Sequence, residues 1–109
     1  MSHDTDLIRS LNDDLRKHLT GGGAVMTPGV AALGQSFVER AVKTLAAFDD
    51  FHHANDPHQE HDMGIFDLDG HALMFKIDYY DKTLRHHSPN PADPSVTERV
   101  ITLMLAEEY

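Results

Sequence analysis

The chain has 109 residues, 40% hydrophobic and 25% charged, which is ordinary globular usage and enough for one core but not two. It contains no cysteine, which excludes a disulfide frame, thiolate chemistry and Cys-ligated zinc. Its 18 acidic against 9 basic residues give a formal net charge of -9, which repels phosphate backbones and argues against direct nucleic-acid binding.

Asp4 to His18 has the spacing of an amphipathic helix, with Leu7, Ile8, Leu11 and Leu15 on one face and Arg9, Asn12, Asp13, Arg16 and Lys17 off it. Gly21-Gly22-Gly23 stops it; with no Lys-Ser/Thr following, these glycines read as a loop and not a phosphate cradle. Ala24 to Thr27 is a short strand beside a later hairpin, closed by Pro28, which opens a turn or short helix through Leu33. From Gln35 to Phe48 the positions Phe37, Val38, Ala41, Val42, Leu45 and Phe48 form the stripe of the main core helix.

The segment HHANDPHQEHD, residues 52–62, is polar and turn-rich. His52, His53, His58, His61 and Glu60 supply metal-ligand types, but there is no HExxH and no second dispersed pair, so the metal question stays open. Asp69-Gly70 then lies between two apolar runs and predicts a two-residue hairpin turn. That register sets Leu68 opposite His71, Phe66 opposite Leu73, Gly64 opposite Phe75 and Asp62 opposite Ile77. The other side has Ile65 opposite Met74, Met63 opposite Lys76 and His61 opposite Asp78. The first side is the core face; the mixed second side suits a dimer interface or a covering helix of the same chain.

Lys82 to Pro94 is irregular because Pro89, Pro91 and Pro94 interrupt it. A last helix is expected from about Val96, capped by Asp93 or Ser95, with Val96, Val100, Ile101, Leu103, Met104 and Leu105 buried. The sum is one acidic α+β domain over residues 1–109: a small antiparallel three-stranded sheet, made of one short strand plus a β-hairpin, packed with about three helices on one face. No apolar run approaches the ~20 residues of a membrane span, and MSHDTDLIRS lacks a basic region followed by an apolar one, so a soluble cytoplasmic protein is expected.

The segments GVAALG, AAFDDF, NDPHQEHDMG, FKIDYYD, SPNPADP and RVITLMLAEEY resemble a bacterial domain family of unknown function that is frequent on plasmids and other mobile elements. The resemblance covers Leu7 to Tyr109. It implies a mobile-element setting and marks Asn55, Asp56, Glu60, His61, Asp62, Lys76, Asp78, Tyr79 and Tyr80 as motif positions of the NDPxxEHD and KIDYYD signatures. The histidines at His52, His53 and His58 go beyond that pattern.

Three functions follow. The first is a non-enzymatic acidic module, without cofactor, that occupies a basic protein or nucleoprotein complex, such as an anti-CRISPR or anti-restriction inhibitor. Its contacts would be Asp49, Asp50, Asp67, Asp69, Asp81, Glu107 and Glu108. The second is a small metal-dependent or His/Asp-based hydrolase or transferase on His61, Glu60, Asp62 and Asp78, with Lys76 and Tyr80 beside them. No nucleophile stands ready for it, since Ser88 and Thr83 lie in a loop without an elbow. The third assigns the motif residues to a structural polar network.

Overall fold

The computed structural model describes residues 3–109, so the first two residues of MSHDTDLIRS lie outside it. Helix α1 (His3–His18) leads into strand β1 (Gly23–Met26), the one-turn helix α2 (Pro28–Ala31) and helix α3 (Gln35–Ala47). After the irregular residues 48–62 come β2 (Met63–Leu68), β3 (His71–Tyr80) and β4 (Glu98–Leu105). The sheet has four strands in the order β1-β4-β3-β2, with β1 parallel to β4 and the other neighbours antiparallel.

Two expectations are corrected here. The sheet is four-stranded and not three-stranded, because the segment expected to be the last helix is the inner strand β4. Its burial alternates with period two: Arg99, Ile101 and Leu103 point into the core, while Glu98, Val100 and Thr102 do not. The β-branched run Val100-Ile101-Thr102 fits that pleat better than a helix. Asp93 still caps, accepting from the Ser95 amide at 2.9 Å, but what it caps is a single 3-10 turn, Pro94–Val96. β1 accordingly lies beside β4 and not beside the hairpin.

The hairpin register is the expected one: Leu68 pairs with His71, Phe66 with Leu73, Gly64 with Phe75, Ile65 with Met74 and Met63 with Lys76. Asp69 (φ 53) and Gly70 (φ 81) both take the positive φ that the tight turn demands. Leu73, Phe75, Ile77 and Tyr79 are buried with Ile101 and Leu103 against Ile8 and Leu15 of α1 and Phe37, Ala41 and Leu45 of α3. Both long helices therefore pack on one face of the sheet. Gly64 makes this possible, since a Cβ there would lie 2.5 Å from the Phe75 ring and 2.6 Å from that of Phe48.

Helix α1 is rotated from the expected face. Leu7 is 40% exposed, whereas Asn12 is fully buried and Arg16 is 2% exposed. The buried stripe is Ile8, Asn12, Leu15 and Arg16, at the i, i+4, i+7, i+8 spacing of one helix face. Two polar side chains thus enter the interior, and the partners they need define the site.

Candidate functional site

Asn12 is the centre of a polar network between α1, the loop 48–62 and the sheet. Its Oδ1 accepts from Arg99 Nε at 2.7 Å, and its Nδ2 donates to Tyr79 OH at 2.7 Å and to the Glu60 carbonyl at 2.9 Å. Tyr79 OH in turn donates to Glu60 Oε1 at 2.9 Å. Arg99 also donates to the Pro91 carbonyl and lies over the Tyr79 ring, its Cζ 5.1 Å from the centroid. Burial pushes the Tyr79 phenol well above the ordinary tyrosine value and pulls the Arg99 guanidinium below its own. The tyrosine is thus held neutral as a hydrogen-bond relay.

The loop is fixed at a second point by Asp56. Its buried Oδ1 accepts from the amides of Glu60 at 3.0 Å and His61 at 3.1 Å. Asn55 closes the preceding turn, accepting from the His52 amide at 2.9 Å and donating to the Asp50 carbonyl at 2.8 Å. The Asp56 bonds help hold Gln59 (φ 58) and His61 (φ 56) in the left-handed region.

His61 therefore does not stand opposite Asp78, and that expectation is corrected: β2 begins only at Met63, and the turn swings His61 toward α1. Its Nδ1 lies 2.8 Å from Asp13 Oδ1, its Nε2 3.7 Å from Asp56 Oδ2, and its ring stacks on Phe51 at 3.9 Å and 6°. Arg16 donates to the same Asp13 oxygen at 2.7 Å. Burial would raise the Asp13 carboxyl, but the Arg16 and His61 hydrogen bonds outweigh it and hold it below the ordinary value.

The remaining motif residues lie elsewhere. Lys76 and Asp78 pair with each other at 3.0 Å, and that hydrogen bond holds the lysine above its usual value. Asp62, Asp78 and Tyr80 line an open cleft of about 380 Å³ with Arg85, His86 and His87. Burial, then the charge of Glu60, pushes the Asp62 carboxyl up. The motif thus divides between an internal set, Asn55, Asp56, Glu60, His61 and Tyr79, and an outward set, Asp62, Lys76, Asp78 and Tyr80.

Three of the expected partner-binding acids have internal duties. Asp69 binds Arg40; Asp81 accepts from the Thr83 hydroxyl at 2.7 Å; Glu108 accepts from Thr27 Oγ1 at 2.6 Å and the Leu105 amide at 2.8 Å. Asp49, Asp50, Asp67 and Glu107 are exposed with no side-chain partner among the described residues. Asp49 and Asp50 follow the end of α3, while Asp67 lies near the hairpin turn against which the start of that helix packs through Phe37 and His71. These acids do not make one patch. Among the described residues no three His, Cys, Asp or Glu side chains are arranged to hold a metal ion.

The model of one protein family, described as a protein of unknown function (DUF3768), matches residues 26–108. The chain belongs to that family. Within this DUF3768 member the matched region contains Asp56, Glu60, His61, Tyr79 and Arg99, whereas Asn12, Asp13 and Arg16 on α1 precede it. No curated protein and no solved structure matches the chain. No helix among the described residues is long and apolar enough to cross a membrane.

Sequence reasoning missed Asn12, Asp13, Arg16 and Arg99. The signal for Asn12 was present, since it lies four residues after Ile8 and three before Leu15, on the apolar stripe itself. Arg99 carried none, because its role depends on a strand read as a helix.

Proposed function

We propose that this DUF3768 member is a small acidic protein-binding module that engages a basic protein or nucleoprotein surface. The observation that carries the reading is the β2 side of the sheet face away from the helices, which stays partly exposed although Met74 and Met104 beside it are buried. With α1 and α3 both on the other face, Ile65 (57% exposed) and partly buried Met63 lie beside the Lys76–Asp78 pair, whose side chains are about a third exposed. An apolar and charged surface of this kind on a chain of net charge -9 suits a partner with basic residues around an apolar centre. An inhibitor of a host defence complex, of anti-CRISPR or anti-restriction type, is the narrower form of the proposal and rests on small size, acidity and the family's expected mobile-element setting.

The His/Asp hydrolase or transferase alternative draws less support. Asp13 takes one ring nitrogen of His61 and the other faces Asp56, which leaves neither well placed to take a substrate proton. Ser88 is buried and hydrogen-bonded to Thr97 Oγ1 at 2.7 Å.

The test is capture of partners from a bacterial lysate by the tagged chain, compared with its Ile65→Lys and Asp49→Lys/Asp50→Lys forms. A stoichiometric basic partner that weakens with salt and is lost on Ile65→Lys is the expected result. Capture indifferent to salt and to all three changes refutes the reading. A chain that leaves phage plating unchanged in hosts with active restriction or CRISPR interference refutes the narrower form.

A further inference from the structure

Strand β1 is one edge of the sheet, with its outer side unpaired among the described residues. The Thr27 amide donates to the Leu103 carbonyl at 3.0 Å, and the parallel register pairs Ala24 with Ile101 and Met26 with Leu103. In a parallel ladder this turns the amide and carbonyl of Val25 toward β4, and those of Ala24 and Met26 outward. Every residue of β1 is exposed, including Val25 at 53% and Met26 at 44%. Beside it, on the helix side of the sheet, runs an apolar groove of about 180 Å³ whose walls include Leu19, Val42 and Leu45.

We infer that β1 pairs with β1 of a second copy of this chain, antiparallel about a twofold axis at Val25, joining the two sheets into one. The geometry is self-complementary. Ala24 of each copy meets Met26 of the other, so the outward amides and carbonyls of both are satisfied, and the Ala24 and Met26 side chains lie along the two grooves.

Charge selects this occupant and this edge. Two copies at -9 each repel wherever acids face each other, but β1 and the groove residues carry no charged side chain. The opposite edge, β2, carries Asp67 within the strand and follows Asp62, so self-pairing there adds carboxylates of both copies to one ribbon. The contact also closes on itself: Pro28, which has no amide N–H, follows Thr27, and Gly21 and Gly22 precede the strand, so the ladder stays short.

The test begins with the mass of the intact chain by sedimentation equilibrium between about 10 μM and 1 mM, since a contact this small is expected to be weak. The mass should climb from 12.2 kDa toward twice that value. Ala24→Pro, which removes only an outward amide, and Met26→Lys should each hold it at the monomer with the circular dichroism unchanged. Ile65→Lys should leave the dimer intact.

A second measurement does not depend on those variants. The axis places the two Val25 residues as a non-hydrogen-bonded pair, with Cα atoms about 4.5 Å apart. In a chain without cysteine, Val25→Cys should therefore oxidise rapidly to a covalent dimer, and Ile65→Cys should not. A monomer at every concentration overturns the inference. So does a dimer that survives both β1 variants, or one that cross-links through Ile65→Cys and not through Val25→Cys.

Discussion

Replacing Asn12 by alanine is expected to be among the costliest single changes in the molecule. The side chain is fully buried and makes three hydrogen bonds: one from the Arg99 guanidinium, one to Tyr79 and one to the Glu60 carbonyl. The two neutral bonds contribute about 1 kcal/mol each and the charged one about 1.5–3 kcal/mol, so the loss is about 3.5–5 kcal/mol. Arg99 keeps its bond to Pro91 but has a buried Nε left without an acceptor. Against a total stability of about 5–15 kcal/mol, this leaves a marginal fold whose melting temperature falls by about 15–25 °C. Urea unfolding followed by far-ultraviolet circular dichroism reads it directly. Tyr79→Phe should cost about 1.5–2 kcal/mol, because half-buried Glu60 can recover water. The two changes share the Asn12–Tyr79 bond, so the double variant should cost less than the sum by about 1 kcal/mol. A cost for Asn12→Ala below about 1 kcal/mol, or strict additivity, refutes the idea that this network anchors the loop.

Other consequences are read the same way. Gly64→Ala sets a methyl against the Phe48 and Phe75 rings, both in the core, and should cost about 1–3 kcal/mol in urea titration. Asp62→Asn should stabilise the protein at neutral pH. Burial and Glu60 raise the Asp62 carboxyl, so folding favours its protonated form, and its ionised form opposes folding as pH rises through the folded value. The gain in melting temperature should be seen at pH 7 and fade near pH 4. Asp13→Asn carries the opposite sign. The depressed Asp13 value means its stabilisation is fully present above the ordinary 3.8 and lost as pH falls through the lower folded value. The variant should therefore be weaker at pH 7 and lose less than the parent in thermal melts between about pH 4 and 2; an equal acid loss in both refutes the assignment.

The parts of the fold legible in the sequence are those written locally. Asp69-Gly70 sets a turn whose two positive-φ positions leave one register, and the hairpin pairings from Leu68–His71 to Met63–Lys76 then follow by counting. The stripe of α3 needs no partner to be read, because its spacing is a property of the helix alone. Strand β4 fails this test. Its apolar positions 100, 101, 103, 104 and 105 satisfy a helical face as well as a pleat, and a capping aspartate precedes them. Only the neighbours β1 and β3 decide between the two, and they come from far along the chain. The same limit hides the network. Asn12 and Arg99 are 87 positions apart, and neither has a local reason to be inside.

The motif segment shows what such distant bonds achieve. Residues 48–62 form no regular element, and Gln59 and His61 hold left-handed conformations that cost stability in isolation. A stretch of this kind is ordinarily the first to open. Here Asp56 ties two of its amides from within, Asn12 takes the Glu60 carbonyl, Asp13 takes His61, and Phe51 stacks on that ring from the side. Two of these ties come from neighbouring residues of α1 and two from within the segment, so the loop is held both by its own residues and by one helix face. The consequence for function is that exposed His52, His53 and His58 are carried on a pre-formed surface. A partner meeting that surface does not have to order it, which lowers the entropic cost of association.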